Sequence, residues 1–300
     1  MILLVLVLVN VLQAEYTDDM VYIHEWGVIE MDEQYLQVRG CPDGYITPDG
    51  YFQEYPMAEV TAPVVYFYGA ESYGTFSVRV RDGAFTLLLP YPDSLSHDVG
   101  EEDCYTAVWE NLRITSPMPS ADATTEASAA TRGPEFESCF DWAVPFWQAV
   151  PANNIRYPST GYEDVFIYYE SVMNNPSMFI GDYYNHVGEV LIFSSEDGEM
   201  VCEYTTVPVE SDAIRDTLSD VEIMAVLYTW GDGGMYAEEI AALWHTWKPL
   251  LKTRCELENL TLMLFPLTER QESMVSTLSF VPVENILIQF DRLLLGLGAI

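Results

Sequence analysis

The chain of 300 residues is 49% hydrophobic and 13% aromatic, a composition that excludes an intrinsically disordered protein. Its 47 acidic and 12 basic residues give a formal net charge of −35, which argues against nucleic-acid binding because that binding needs Lys and Arg to neutralise phosphates. Such a surface attracts cations, either through general screening or at a specific Ca²⁺ site, although the sequence contains no Asp-x-Asp-x-Asp-Gly loop.

Residues 1–14 are predicted to form a secretory signal peptide. Their apolar run is too short to span a membrane, which needs about 20 residues, and Ala14 is the small residue expected before a cleavage site. No Lys or Arg precedes the run, and a buried first strand is the alternative. No later segment is long and apolar enough to span a membrane, so we expect an exported protein, periplasmic or extracellular, that begins near Glu15.

Residues 15–115 are predicted to form strands and turns. Positions 22–30 are rich in β-forming residues, and positions 75–81 alternate between apolar and polar side chains. Asp82-Gly83 follows at once and leads into the apolar run 84–89, which is the pattern of a β-hairpin.

Residues 116–134 carry almost no bulky apolar side chains and are predicted to form a flexible loop or linker, because they cannot bury enough surface to offset the entropy of ordering. Residues 135–210 return to strands. Two of these strands flank Glu196-Asp197-Gly198 and predict a second hairpin.

Residues 211–300 are predicted to contain two helices and the closing strands. Ser219 and Glu222 match a capping box at the start of the first helix, and Pro249 is expected to end or kink the second. Apolar residues recur at helical spacing along both helices, at positions 214, 218, 221, 225 and 228 in the first and at 236, 240, 243 and 247 in the second. The whole pattern predicts a β-rich α+β fold, in which antiparallel sheets pack as a sandwich and a C-terminal two-helix unit precedes the closing strands.

His24 is the leading candidate for chemistry among four histidines. In a strand, His24 and Glu25 face opposite sides, so they cannot enter one pocket without a bulge. His24 is either hydrogen-bonded in the core or acts as a metal ligand or general base. A divalent-cation site at His24 and Glu25 would need further ligands, such as His97, His186 or another carboxylate.

The cysteines are Cys41, Cys104, Cys139, Cys202 and Cys255. None lies in a Cys-x-x-Cys pair, which argues against a zinc ribbon or a thioredoxin-type site. In an oxidising compartment some of them can pair. Cys104 and Cys139 bracket the segment 116–134 and are the first candidates for a disulfide, and at least one thiol stays single or pairs between chains.

Three tryptophans, Trp26, Trp142 and Trp147, are candidate rings for stacking on a ligand such as a sugar. The alternative is that they fill a β core or its rim, as buried aromatic side chains commonly do. The short motifs of serine hydrolases, zincins, Walker-type nucleotide-binding proteins and dinucleotide-binding proteins do not occur in the sequence.

The His-Glu-Trp-Gly sequence that starts at residue 24, just after the signal peptide, resembles the opening of a group of uncharacterised exported bacterial proteins. The resemblance extends over most of the mature chain, in the segments 62–68, 78–83, 147–149, 166–169 and 237–247. Gln148 and Glu170 stand where that group typically has arginine, so roles of those arginines do not transfer. The resemblance implies export and a shared fold, and it implies no activity.

The expected function is that of an exported acidic binding or surface protein, without catalysis, whose partner is an unknown extracellular ligand or protein. This expectation rests on export, strand content, acidity and the missing catalytic motifs. The alternative is a metal-dependent hydrolase that uses His24. A cleft that joins His24 to a second histidine and a carboxylate would favour the enzyme, and an exposed aromatic strip would favour binding.

Overall fold

The structure, a computed structural model, describes residues 19–31, 44–46, 52–54, 59–81, 83–100, 103–117, 142–173, 188–207 and 217–300. The predicted signal peptide and nearly all of the predicted flexible segment 116–134 lie outside these ranges. So do Cys41, Cys139 and His186.

Strands dominate the described residues. They are β1 (Met20–Met31), β2 (Gly44–Ile46), β3 (Phe52–Glu54), β4 (Glu59–Gly69), β5 (Ser72–Arg81), β6 (Gly83–Leu89), β7 (Ser94–Val99), β8 (Asp103–Thr115), β9 (Asn154–Tyr157), β10 (Tyr162–Asp164), β11 (Phe166–Met173), β12 (Gly188–Glu196), β13 (Glu199–Val207), β14 (Leu262–Pro266), β15 (Ser276–Pro282) and β16 (Leu287–Ala299). The helices are α1 (Val144–Gln148), α2 (Asp220–Trp230), α3 (Ala237–Leu257) and α4 (Glu269–Val275).

The strands form two main sheets. The larger sheet has the order β13-β12-β14-β16-β1-β4-β11-β6, and the smaller has the order β10-β9-β8-β5-β15 with β7 paired to β8. Strands β2 and β3 pair with each other. The predicted β-rich α+β fold with sandwich-like sheets and C-terminal helices before closing strands is confirmed. The described helices include none long and apolar enough to cross a membrane.

One strand pair departs from the antiparallel prediction. The pair β1 and β16 runs parallel, and the other pairs among the described strands run antiparallel. No hairpin connects β1 to β16, so their relative direction is free of the constraint that a short turn imposes. β1 therefore lies inside the larger sheet, between β16 and the antiparallel β4.

The two predicted hairpins have different outcomes. β12 and β13 pair from Glu196 and Glu199 outward, as predicted, and Asp197 and Gly198 take φ values of 52° and 85°, which suit a tight hairpin turn. The hairpin predicted at Asp82-Gly83 is wrong, because β5 pairs in the smaller sheet and β6 in the larger one. The physical reason is that every residue of β6 is buried, so β6 has no solvent-facing side of the kind an alternating hairpin strand has.

Both predicted C-terminal helices are present, and the predicted apolar face is confirmed for α3 but wrong for α2. Helix α2 starts after Ser219, whose N–H and hydroxyl both donate to the Glu222 carboxylate at 2.8 and 2.7 Å. Its buried residues are Ile223 and Leu227, whereas Val221 of the predicted face is exposed. The helix α3 buries Ile240, Leu243 and Trp247 as predicted. Pro249 does not end α3, which continues to Leu257.

The core is divided by the larger sheet into two layers. On the side of the smaller sheet, Phe67 of β4 packs edge-on against Phe76 of β5 and Phe280 of β15, with ring centroids 5.3 and 6.1 Å apart. On the opposite side, Trp147 of α1 donates its indole N–H to Thr246 of α3 at 2.8 Å. Each face of β1 is therefore buried in a different layer.

Candidate functional site

The His-Glu-Trp-Gly segment is part of β1 and is buried. In the sheet register His24 lies opposite Tyr66 of β4 and Asp291 of β16, and Glu25 lies opposite Val65 and Arg292. His24, Glu25 and Trp26 all have 0% exposure. Because side chains alternate along a strand, the segment places His24 under α3 and Glu25 between the two sheets.

The imidazole of His24 is held between two carboxylates. Its Nδ1 lies 2.9 Å from Oε2 of Glu239, which is fully buried in the first turn of α3. Its Nε2 lies 3.6 Å from Oδ2 of Asp291 on β16, whose side chain is 26% exposed. Three elements distant in sequence, β1, α3 and β16, therefore meet at this one ring.

The start of α3 fixes the position of Glu239. The oxygen that faces His24 also accepts the backbone N–H of Tyr236 at 2.7 Å, which closes the N-terminal turn of the helix. The other oxygen, Oε1, is buried and makes no hydrogen bond within the described part of the chain. Only one oxygen of the buried Glu239 carboxylate, Oε2, therefore has hydrogen-bond partners that offset the cost of removing it from water.

Tyrosine side chains surround this group. The ring of Tyr68 lies 4.6 Å from the His24 ring and 4.8 Å from the ring of Tyr236, centroid to centroid. Burial raises the pKa of Tyr66 well above its usual range, and the negative charge of Glu239 raises it further. The Tyr66 hydroxyl stays protonated and donates to the carbonyl of Trp147 at 3.2 Å.

Glu25 belongs to a second polar network, located between the sheets. Its Oε2 accepts Nε–H of Arg292 at 2.5 Å, and its Oε1 accepts the hydroxyl of Tyr169 at 2.5 Å. Ser276 completes the network, because its Oγ lies 2.7 Å from Nη2 of Arg292 and 2.9 Å from the Tyr169 hydroxyl. Three strands, β1, β11 and β16, and the first residue of β15 are joined by these bonds.

Burial and the charges of this network shift the pKa values of Tyr169 and Arg292. Burial raises the pKa of Tyr169 well above its usual range, and the carboxylate of Glu25 raises it further. Burial acts to lower the pKa of Arg292, but Glu25 and other neighbours outweigh it and the net change is upward. The arrangement therefore holds Glu25 and Arg292 as an ion pair and Tyr169 as a neutral donor.

The tryptophans proposed as stacking rings lie in different environments. Trp26 packs edge-on against Trp147, with centroids 6.3 Å apart, and Trp147 stacks on Tyr168 at 5.2 Å. Both Trp26 and Trp147 are buried, whereas Trp142 is 41% exposed. Near it in sequence, the exposed ring of Phe146 stacks on His245 of α3 at 4.9 Å. A stacking role on the outer surface stays a prediction for Trp142.

The candidate metal ligands are separated by the strand. His24 and Glu25 lie on opposite faces of β1, and the two nitrogens of His24 face two different carboxylates, so a single ion cannot use both nitrogens. Among the described residues, no group of three or more His, Cys, Asp or Glu side chains could hold a metal ion. His97 lies elsewhere, exposed and stacked on Tyr105. The predicted partner of the buried Cys104, which is Cys139, lies outside the described residues.

The partners of His24 and Glu25 were not found by reading the sequence. The sequence pattern places Glu239 only within a predicted helix, and Asp291 and Arg292 only within the C-terminal segment 211–300. One signal was present, since Asp291-Arg292 interrupts the otherwise uncharged stretch 285–300. Adjacent charges inside such a strand indicate buried partners, because an unpaired buried charge is costly.

Comparison with known proteins adds no relative, since the chain matches no family model, no curated protein and no solved structure.

Proposed function

We propose that this protein is an exported acidic binding protein that recognises positively charged partners and uses its His-Glu-Trp-Gly segment to hold the fold together. The observation that supports this proposal is that the few basic side chains are engaged in ion pairs with acidic side chains of the same chain. Among the described residues, the basic side chains that form ion pairs within the chain include Arg156, Lys248, Lys252, Arg254 and Arg292.

Internal use of these cations leaves the carboxylate excess available to a partner. Both lysines of the protein are among the paired residues. The β12–β13 turn concentrates three exposed acids, Glu196, Asp197 and Glu199, within four residues. Potentials of this kind raise the association rate of oppositely charged partners and fall steeply with salt. We therefore expect the β12–β13 turn to contribute to binding of a basic partner.

The test is binding of a fluorescent lysine-rich peptide, compared with a neutral peptide of the same length. We expect the basic peptide to bind selectively, and its affinity to fall as NaCl rises from low to moderate concentration. The variant E196Q/D197N/E199Q should weaken binding more than the control D19N/E238Q/E258Q, which removes three scattered exposed charges. Equal binding of basic and neutral peptides would exclude the proposal.

Export is tested separately. Fractionation of the native host followed by N-terminal sequencing should find mature protein that begins at or near Glu15. Soluble protein that retains Met1 would contradict export while leaving the peptide-binding result unaffected.

A second candidate, hydrolysis that uses His24, is favoured by one observation. The carboxylate of Glu239 orients Nδ1 of His24, as the third group of a nucleophile–base–orienter set does. The imidazole has no exposed surface, so Asp291 must move before a substrate reaches Nε2. Turnover of chromogenic esters, phosphoesters or glycosides by the wild type, lost in a folded His24→Gln variant, would favour the enzyme over the binding protein.

A further inference from the structure

Two buried thiols, Cys202 of β13 and Cys255 of α3, lie on elements that pack against each other. Cys202 is 2% exposed and Cys255 is fully buried, and both are free thiols in the structure. Cys202 lies opposite Phe193 in the β12–β13 register, and the Phe193 ring stacks on Trp244 of α3 with centroids 6.1 Å apart. Because directly opposite residues share a face of the sheet, α3 covers the face to which Cys202 points.

The C-terminal part of α3 is bonded to β13 beside these cysteines. The backbone N–H of Met200 donates to Oε1 of Glu256 at 2.9 Å, and Cα atoms of α3 and β13 come within 8 Å of each other. Met200 is two residues before Cys202, on the same face of the strand, and Glu256 directly follows Cys255. Cys202 and Cys255 thus each lie within two residues of the Met200–Glu256 hydrogen bond. A disulfide between them needs Cα atoms about 4.4–6.8 Å apart.

We propose that Cys202 and Cys255 form a disulfide bond in the mature protein, made while the chain folds. The two thiols lose two protons and two electrons as the S–S bond forms. The electrons reduce the disulfide of an oxidant, such as oxidised glutathione or a thiol–disulfide oxidoreductase, to two thiols. The oxidising compartment that holds such an oxidant follows from the proposed export, and the test below does not depend on it.

The surroundings of both thiols determine when the bond forms. Burial raises the pKa of Cys255 to about 11, and it raises the pKa of Cys202 further still, with the neighbouring Cys255 adding to the effect. The thiolate is the attacking species in disulfide exchange, so these thiols react slowly once they are buried. A disulfide bond made during folding is shielded from reducing agents, because both sulfur atoms are buried in the folded protein.

Peptide mapping of the full chain decides the pairing. The protein is refolded in a mixture of reduced and oxidised glutathione, its remaining thiols are alkylated, and it is digested with trypsin without reduction. Cleavage after Arg156, Arg215, Arg254 and Arg270 places Cys202 in the peptide 157–215 and Cys255 in the peptide 255–270, each as the sole cysteine. We expect these two peptides joined by a disulfide, with the joined species lost after reduction.

Two results would overturn the pairing: alkylated Cys202 and Cys255 after oxidative refolding, or either cysteine joined to Cys41, Cys104 or Cys139. A second measurement is the melting temperature of the refolded protein. Cys202→Ala and Cys255→Ala should each lower it by roughly 10 °C. The double variant should lower it by clearly less than the sum of the two, and reductant should shrink each difference to the smaller loss that comes from the missing buried sulfur. Equal melting temperatures of the oxidised and fully reduced wild type would also count against the bond.

Discussion

His24 shows how a histidine with no exposed surface is accommodated in a sheet interior. Its Nδ1 meets Glu239 at 2.9 Å, and its Nε2 faces Asp291 at 3.6 Å. Both carboxylates come from elements that the sequence places far from β1. The imidazole and Glu239 stabilise each other in the interior, because either group alone would be a buried polar group without compensation.

The substitution His24→Ala should therefore destabilise the protein strongly. It leaves the buried carboxylate of Glu239 without its partner, and removal of one member of such a pair costs about 3 kcal/mol or more. The measurement is the free energy of unfolding in urea. His245→Ala is the matched control, because His245 is exposed, and it should change stability by about 1 kcal/mol or less. Equal stability of the two variants would contradict a structural role for His24.

A pH dependence is expected at Glu272, whose pKa is raised by burial against the opposing effect of Arg292. The folded state then holds this proton more tightly than the unfolded state, so the group loses stabilising effect as pH rises from its unfolded pKa through its folded pKa. Glu272→Gln keeps an oxygen for the N–H of Leu294, which Glu272 accepts at 3.1 Å. The melting temperature of this variant relative to wild type should increase between pH 4 and pH 7.

Glu222 provides a control of opposite sign. The hydroxyl and backbone N–H of Ser219 lower the pKa of Glu222, so its contribution is present above the unfolded pKa and is lost as pH falls. The melting temperature of the Glu222→Gln variant, relative to that of the wild type, should therefore decrease as pH rises. If both variants shift in the same direction between pH 4 and pH 7, the assignment of the two environments is wrong.

Among the secondary-structure elements, β1 is joined to the C-terminal part of the chain by buried charges along its length. His24 meets α3, Glu25 meets Arg292 of β16, and Glu30 meets Arg254 of α3 at 2.6 Å. The contacts at His24 and Glu30 fix α3 at two places, near its first turn and near its last. These two buried polar contacts fix the orientation of α3 on the sheet, together with the packing of its apolar face.

Two basic residues of α3 allow a test within one helix. Arg254→Met removes the partner of Glu30, whose side chain is 1% exposed, and should cost about 3 kcal/mol of unfolding free energy. Lys252→Met breaks the exposed pair with Glu256 at 3.5 Å and should cost less than about 1 kcal/mol. Urea unfolding of both variants gives the comparison. A small cost for both would mean that the Glu30 ion pair does not hold α3 in place.

Periodicity predicted α3 well and α2 poorly, for a physical reason. Helix α3 has one apolar stripe, and Ile240, Leu243 and Trp247 are buried on it. Helix α2 carries apolar residues all round, so spacing alone could not decide that Ile223 and Leu227 face inward. Alternation along β1 separated His24 from Glu25, but their partners lie 215 and 267 residues away, beyond the reach of any local pattern.

At the scale of the whole molecule, the charge of −35 should make stability depend on salt. Like charges are closer together in the folded state than in the unfolded state, so repulsion favours unfolding at low ionic strength. The screening length falls from about 30 Å at 0.01 M to about 3 Å at 1 M salt. We expect the melting temperature to rise steeply with NaCl, and a flat curve to 1 M would contradict this.

Divalent ions separate general screening from a specific site. Screening predicts that CaCl₂ and MgCl₂ stabilise the protein similarly, at millimolar concentrations. A dedicated oxygen site predicts saturable stabilisation by micromolar Ca²⁺ and little by Mg²⁺, which gives up its water reluctantly. Melting curves against each salt in turn distinguish the two.

The parallel pairing of β1 with β16 affects when the larger sheet can form during synthesis and folding of the chain. It is the ladder that connects β13-β12-β14-β16 to β1-β4-β11-β6 within the larger sheet. Synthesis delivers β1 early and β16 late, and the Glu25–Arg292 contact spans 267 residues. Closing so long a loop is entropically slow. The two halves of this sheet therefore cannot be joined until β16 has been synthesised.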